Sequence, residues 1–539
     1  MKHILPNKWM TGIFLVIFSL SSCKKALTEK PYSFLSPENF YKNESDAKTA
    51  INGVYSALYT YDLYLQPIWN LTMLDDDHVS GADWFLGTSG AGNPQGYWGV
   101  DGPWVGFYTI ISRANTVLEN VEPLNQNIDA DIKNRILGEA YFLRGWSYFQ
   151  LVQLYGGVPL RLASLSKESD INKPRASVVE VYNTIFSDLK KAETMLFPTG
   201  HPKAGEGGRA TRGVAKGFLA KAYLTLASCA VNSGNVIVRG GQDNGNYSYS
   251  KTAVKGYEGV DAKQYFGLAR DKAMEVIQSK EYSLFPSWKT LWSKSGRNNT
   301  EHMWQIQSMS GSSFVNNLHN YFSALSTFGR GAVWATNNHY SDYEDADLRG
   351  LDGIAHNYST NTGARYFYPS SQAALYRVVN GLTYTNNGTT DNRAYVIKYA
   401  DVTEPTLANS DAYYPIMRYA EILLIYAEAA NEANGAPTPE AYAQLNAIRN
   451  RSKATLAPAA MNLEQFRSYV LAERARELLF EGIRRFDLMR WNVYLQVMNK
   501  ISAGQNNISK VRSQRNLLLP IPLGELNSNQ SIRENNPGW

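Results

Sequence analysis

Nine stretches of this chain repeat apolar residues at a 3.6-residue spacing, and that periodicity constrains the fold more than any other feature. They run from about Ser45 to Tyr59, Trp104 to Val121, Asp131 to Leu154, Ser177 to Leu196, Thr211 to Ala230, Gln264 to Ser279, Ile416 to Asn434, Pro439 to Arg451 and Leu463 to Phe480. Val178, Val181, Ile185, Leu189 and Leu196 lie close to one stripe of the fourth. Two of these helices echo each other. Ala140, Leu143, Tyr148 and Phe149 recur as Ala215, Phe218, Tyr223 and Leu224 at an offset of 75 residues. That offset is near two units of the ~34-residue tetratricopeptide period, and small residues alternating with large ones let helix pairs stack closely. The residues by themselves predict a mainly α fold, an irregular tetratricopeptide-like solenoid. Three intervals between the helices, Leu74 to Pro103, Val231 to Tyr257 and Gly296 to Ala412, are longer than ordinary loops, so they are expected to be functional or structured in their own right. Trp84, Tyr97, Trp98, Trp104, Trp304 and Trp334 in or beside them argue against simple disorder.

The N-terminus reads as an export signal. Lys2 and Lys8 form a basic head, and Met10 to Leu20 is an apolar core of 11 residues, well short of the ~20 needed to span a bilayer. Ser21 and Ser22 then precede Cys23 at the spacing a lipoprotein signal peptidase needs, so cleavage before Cys23 and lipidation of its thiol are expected. Lipid contributes about 0.8 kcal/mol per buried CH₂, and more than one chain is required for stable anchoring. The mature protein would sit on a membrane without crossing it. Removal of the leader takes two of the 53 basic residues and none of the 48 acidic ones. The mature chain keeps a small positive charge with no Lys/Arg cluster, which disfavours nucleic acid as a partner.

With Cys23 lipidated, Cys229 stands alone and no disulfide can form within the chain. Its apolar surroundings predict a buried, inert thiol. The seven histidines, His3, His78, His201, His302, His319, His339 and His356, are scattered with no HExxH or paired-cysteine spacing, so neither a metal site nor a cofactor is expected. Asp75, Asp76 and Asp77 invite a calcium reading, but the loop lacks EF-hand spacing.

Near the C-terminus, Glu473, Glu477 and Glu481 recur every four residues, with Arg474, Arg476, Arg484 and Arg485 three or four positions from one or more of them. Adjacent turns of one helix suit ion-pair ladders rather than a glycosidase pair, whose carboxyls face each other across a cleft. Gly482 would then turn the chain so that Phe486, Leu488, Met489 and Trp491 bury behind it.

The segment from Leu471 to Trp491 belongs to an ordered set of motifs. It follows Arg418-Tyr-Ala-Glu-Ile-Leu-Leu-Ile-Tyr-Ala-Glu-Ala-Ala430 and Leu445-Asn-Ala-Ile-Arg-Asn-Arg451, and it precedes Leu519-Pro-Ile-Pro522 and Asn536-Pro-Gly-Trp539. The N-terminal half adds Phe40-Tyr41, Ala50-Ile-Asn-Gly-Val-Tyr55, Ala140-Tyr-Phe-Leu-Arg144 and Leu154-Tyr-Gly-Gly-Val-Pro-Leu160. Together these resemble the SusD/RagB family of surface lipoproteins over nearly all of the mature chain. The resemblance implies tetratricopeptide-like helical repeats packed against an irregular, loop-rich lobe that holds the glycan site, in a non-enzymatic protein lipid-anchored to the outer membrane and facing the exterior. Such a protein captures oligosaccharides and delivers them to a SusC-like TonB-dependent barrel. It implies residues 1–22 as leader, 23–40 as lipidated linker, 41–300 as the N-terminal region with the repeats, and 301–539 as the C-terminal region packed with it as one unit. A departure stands at Lys24-Lys25, since family members exposed on the cell surface often carry acids soon after the lipidated cysteine and here the first is Glu29.

A sugar ring offers C–H faces to aromatic side chains and hydroxyls to polar ones. With about 0.5–1.5 kcal/mol per ring contact beyond area burial, two or three rings together with their buried area and a few hydrogen bonds suggest roughly −4 to −8 kcal/mol, the micromolar-to-millimolar range. By the family's organisation the ligand set is expected at Asp77, Trp84, Tyr97 and Trp98, with Asp77 as acceptor, and at Trp334 and Tyr340, with Tyr343 nearby. Asp347 and Arg349 read as a structural pair. Three rival readings stay open: a peptide-binding relative, a lipoprotein glycosidase with opposed carboxylates, and a repeat scaffold that binds only proteins.

Overall fold

The helices form largely where the periodicity places them. A computed structural model of the chain describes residues 40–324, 331–359, 365–368, 376–379, 382–385, 389–390, 393–501 and 509–539. The leader and Cys23 lie outside the described residues. Along the chain stand α1 (Glu44–Ser56), α2 (Pro67–Met73), α3 (Gly102–Val121), α4 (Ala130–Tyr155), α5 (Val178–Met195), α6 (Arg212–Ala230) and α7 (Ala262–Ser279). After the irregular region come α8 (Tyr419–Asn434), α9 (Pro439–Arg451), α10 (Leu463–Glu477), α11 (Arg484–Arg490) and α12 (Tyr494–Ile501). Local chemistry sets several starts. Ser177 and Glu180 form a capping box at α5, and Asn462 and Gln465 form one at α10.

The helices from α3 to α8 pack each on the next, with α9 and α10 closing the far end against α8, and this is an array of tetratricopeptide-like repeats. The echoing residues of α4 and α6 are all buried, on the two helices that flank α5. Close stacking depends on a missing side chain: a Cβ on Gly145 of α4 would lie 3.0 Å from the Asp188 Cβ of α5. At the centre, Trp304 meets Phe142, Trp146 and Phe218 edge-on at centroid distances of 4.9, 5.0 and 5.9 Å. Its Nε1 donates to Gly208 O at 2.9 Å. Among the described residues, no helix is long and apolar enough to cross a membrane.

The three irregular intervals carry structure of their own. The first holds β1 (Val79–Gly81), and the second is the hairpin of β2 (Asn235–Gly240) and β3 (Gly245–Ser250). The third holds β4 (His302–Ile306) and β5 (Val333–Ala335). β5 pairs antiparallel with β1, placing Trp334 opposite Ser80.

Two helix expectations are corrected. Residues 414–418 form β6 (Tyr414–Arg418), antiparallel to β4, so the helix expected from Ile416 begins only at Tyr419. The run Ile416-Met417 is apolar enough for either state, and the Tyr419 N–H donation to Glu301 O at 2.8 Å ties the junction to the β4 side. The helix expected to reach Phe480 ends at Glu477, with Phe480 at φ +56° and Gly482 at φ +73°. This turn swings Glu481 off the helix. An alanine at Gly482 would meet both the left-handed backbone and Tyr414 Oη, 2.7 Å from the added Cβ. Gly482→Ala is expected to cost roughly 1–3 kcal/mol, read as a lower urea midpoint.

The glutamates are not a surface ladder. Of the expected within-helix pairs, Arg476 to Glu473 forms, at 2.7 Å. The other partners come from distant segments. Arg349 and Arg449 reach Glu473 at 2.6 Å each, Arg451 reaches Glu477 at 2.6 Å, and Arg418 bridges Glu477 and Glu481 at 3.0 and 2.8 Å. Asp347 clasps Arg349 through both oxygens, at 2.9 and 2.7 Å, as a structural pair. Cys229 is buried, and burial pushes its thiol up to about 12, so it is inert at neutral pH.

Candidate functional site

A run of rings crosses the surface beside α2. This helix is wholly buried, with Trp69 Nε1 donating to Leu65 O at 3.2 Å. Trp69 supports Tyr321 at 5.6 Å, and Phe85 stacks on Tyr321 at 4.2 Å with a 9° interplanar angle. Phe85 in turn holds Trp84, 5.5 Å away and 64% exposed. Tyr97 neighbours Tyr321, and burial is the main cause that pushes its hydroxyl up. Tyr97 backs Trp98 at 5.2 Å, and Trp98 meets Tyr61 at 6.4 Å. Trp98 and Tyr61 are 64% and 68% exposed. The result is a buried row, Phe85, Tyr321 and Tyr97, that presents Trp84 at one end and Trp98 with Tyr61 at the other.

Two carboxylates border the second end. Asp62 follows Tyr61, and Asp101 stands three residues beyond Trp98 at the start of α3. The Gly102 backbone approaches so closely that a Cβ there would lie 2.6 Å from Asp62 O. Partial burial pushes both carboxyls above the ordinary Asp value. Neither makes a hydrogen bond or ion pair among the described residues, so both remain available as acceptors. Asp62, Asp101 and Tyr61 carry no sequence motif. The alternation of rings and acid in Tyr59-Thr-Tyr-Asp62, at a helix end, is the signal that marks the first of them.

Of the residues expected from sequence, Trp84 and Trp98 present ring faces to solvent. Asp77 does not act as a rim acceptor, because both its oxygens hold Arg484, at 2.8 and 2.6 Å, beneath the surface. Asp75 is likewise paired with Arg512 at 2.8 Å, and Asp76 Oδ1 accepts from the His78 N–H at 2.8 Å. Tyr97 is the buried support just described. Trp334 is buried against Tyr395 at 5.7 Å with the Arg393 guanidinium 5.2 Å over its ring. Tyr340 is buried against Tyr368 and His356 at 4.9 and 5.8 Å, and Tyr343 donates to Arg476 O at 3.0 Å.

Comparison with known proteins bears on what such a surface does. A model of the SusD family matches residues 239–539, more than half of the chain. This protein belongs to the SusD family. A second family model, "Starch-binding associating with outer membrane", matches residues 27–224. SusD-like protein P2 of Formosa agariphila is 27% identical over 560 residues, covering 99% of this chain and all of the relative. A SusD homologue from Bacteroides thetaiotaomicron superposes with a TM-score of 0.73 at 23% identity, covering 93% of this chain and 98% of the other. A SusD-like carbohydrate binding protein from Bacteroides fragilis superposes at 0.67 and 21% identity, covering 92% and 100%. The SusD-family fold thus spans both the repeat array and the irregular lobe that carries the rings.

Proposed function

We propose that this SusD-family chain binds oligosaccharides across Trp84, Trp98 and Tyr61 and passes them to an outer-membrane transporter. The carrying observation is the solvent-facing rings held on a buried aromatic row, with the uncommitted Asp62 and Asp101 beside them. Large indoles left 64% exposed lose hydration favourably only when something covers them. Pyranose C–H faces fit the rings, and equatorial hydroxyls donate to the carboxylates. Support comes also from the names of relatives: one family model is described as starch-binding, and a structural neighbour is called a carbohydrate binding protein.

Glycan-array screening followed by calorimetry tests this reading. Trp84→Ala and Trp98→Ala are each expected to weaken binding by about 3- to 10-fold, and the double variant to fall below detection, with circular dichroism unchanged. Unaltered affinity in the folded double variant would remove this surface from consideration. Affinity is also expected to fall with acidification, at a higher pH than ordinary aspartates would impose, because burial has raised both acceptors and protonation removes their charge. A combined Asp62→Asn, Asp101→Asn variant should bind more weakly and lose that pH dependence.

Delivery follows from lipid anchoring through Cys23 and contact with a SusC-like TonB-dependent barrel. A stable cap of this kind should bury ~2,000 Å² or more. Co-purification with a barrel from membranes in mild detergent is the expected result, and hydrolysis of a bound glycan by the pure protein would overturn the non-enzymatic reading.

A further inference from the structure

We propose that His78, His339 and Asp342 form a binding site for a divalent transition-metal cation, with Zn²⁺ the representative ion, between β1 and the short helix Asn337–Tyr340. His78 is far in sequence from His339 and Asp342, yet one ligand atom from each of the three lies within 4.8 Å of the others. His78 immediately precedes β1, whose partner β5 leads through Thr336 into that short helix. Thr336 N donates to His78 O at 2.8 Å, which locks the two segments together. The imidazoles lie 4.1 Å apart at 33°.

Hydrogen bonding decides which atoms they offer. Tyr343 donates its hydroxyl proton to Arg476 O, so its oxygen can only accept from His339 Nε2, 3.2 Å away. His78 Nε2 faces the Asp77 carboxylate at 3.4 Å, again an acceptor. Both rings therefore carry the proton on Nε2 and present a bare lone pair on Nδ1. Both Nδ1 atoms are buried without a hydrogen-bond partner, in residues only 6% and 1% exposed. A cavity of about 40 Å³ is lined by both histidines together with Asp342, Arg239 and Lys510. Two unpartnered lone pairs and a carboxylate, on residues that line one small cavity, suit an electron-pair acceptor. Imidazole, imidazole and carboxylate are a donor set for Zn²⁺ and its neighbours, leaving a fourth position for water. Asp77 and Tyr343, behind the two Nε2 atoms, are the outer partners that orient such ligands.

The surrounding charges are compatible. Arg484 is held by Asp77 and Arg476 by Glu473. Lys510 donates to Asp76 O, and burial lowers it to about 8. Arg239, 2.8 Å from Asp342, is the group a cation would displace; its side chain is 44% exposed and can return to water. Burial also holds both imidazoles neutral, the ligating form. The ligand atoms lie within 4.8 Å of one another, with His339 Nδ1 4.0 Å from Asp342 Oδ2, so reaching the roughly 3.4 Å of a tetrahedral site needs a movement within side-chain reach. A bound ion would staple the strand that leads to Trp84 onto the C-terminal region.

Calorimetry of the chelator-stripped protein with Zn²⁺, paired with visible absorption of the Co²⁺ form, tests the site. One equivalent is expected to bind, with the intense bands of tetrahedral Co²⁺. His339→Gln should weaken binding by at least about 100-fold and Asp342→Asn by about 10- to 100-fold, while His201→Gln, on a separate surface, should have no effect. Asp342 is partly exposed, so Asp342→Asn keeps the test decisive even where a buried histidine variant does not fold. No stoichiometric binding by the unaltered protein, or undiminished binding in Asp342→Asn and folded His339→Gln, would overturn the site. The measurement uses no glycan and stands apart from the proposed function.

Discussion

Arg418→Met is expected to destabilise the protein by roughly 3–5 kcal/mol, the cost of removing one partner from a buried ion cluster. The guanidinium is fully buried. Its Nε and Nη2 donate to Glu481 at 2.8 and 2.9 Å, Nη2 also reaches Glu477 O at 3.0 Å, and Nη1 serves Glu477 at 3.0 Å together with Glu301. Trp292 lies against the guanidinium, its centroid 5.1 Å from Cζ. Methionine fills much of the space but leaves three buried carboxylates short of a cation and their desolvation uncompensated. Arg451 and Lys398 remain as partial partners, which keeps the cost finite. The check is the shift in denaturant midpoint against Lys48→Met, which breaks an exposed pair with Glu44 and should move it by under about 1 kcal/mol. Equal shifts in the two variants would refute the central role of Arg418.

The same cluster predicts an abrupt loss of stability in acid. Burial alone would raise Glu477, but Arg451, Arg418 and Arg349 outweigh it and hold the carboxyl at about 2. Glu473 is lowered by the same competition, with Arg349, Arg476 and Arg449 winning over burial. A folded-state value below the unfolded one contributes stability that is complete above about pH 4.5 and disappears as pH falls toward 2. For Glu477 alone the contribution is on the order of 3 kcal/mol. Asp76 acts oppositely: burial and the neighbouring Asp77 raise it to about 7, so its penalty is relieved as pH falls from 7 toward 4. Urea midpoints should therefore stay level or rise slightly from pH 7 to 5, then collapse below about 4.5. A steady decline from pH 7 downward would contradict the assignment of the buried carboxylates.

The helical array was legible because burial of one face imposes a period that survives in the residue order, as in Val181, Ile185 and Leu189 of α5. Where the pattern was ambiguous it misled. Ile416 and Met417 satisfy helix and strand alike, and pairing with β4 decided for strand. Trp84 and Trp98 were legible as the leading candidates from their chemistry and family position, whereas Trp334 and Tyr340, read as a second contribution, lie under neighbouring rings. Asp77 reads as a solvent acceptor in its loop, whereas Arg484, over four hundred residues away, takes both its oxygens.

By itself the sequence determined where most of the long helices lie, because periodicity is a local property of the chain. It also determined membership of the SusD family, because ordered motifs persist along its length. Tertiary structure alone decided which rings face water, which carboxylates are free, and that His78 and His339 meet. Exposure and pairing are properties of neighbours in space, and here those neighbours come from opposite ends of the chain.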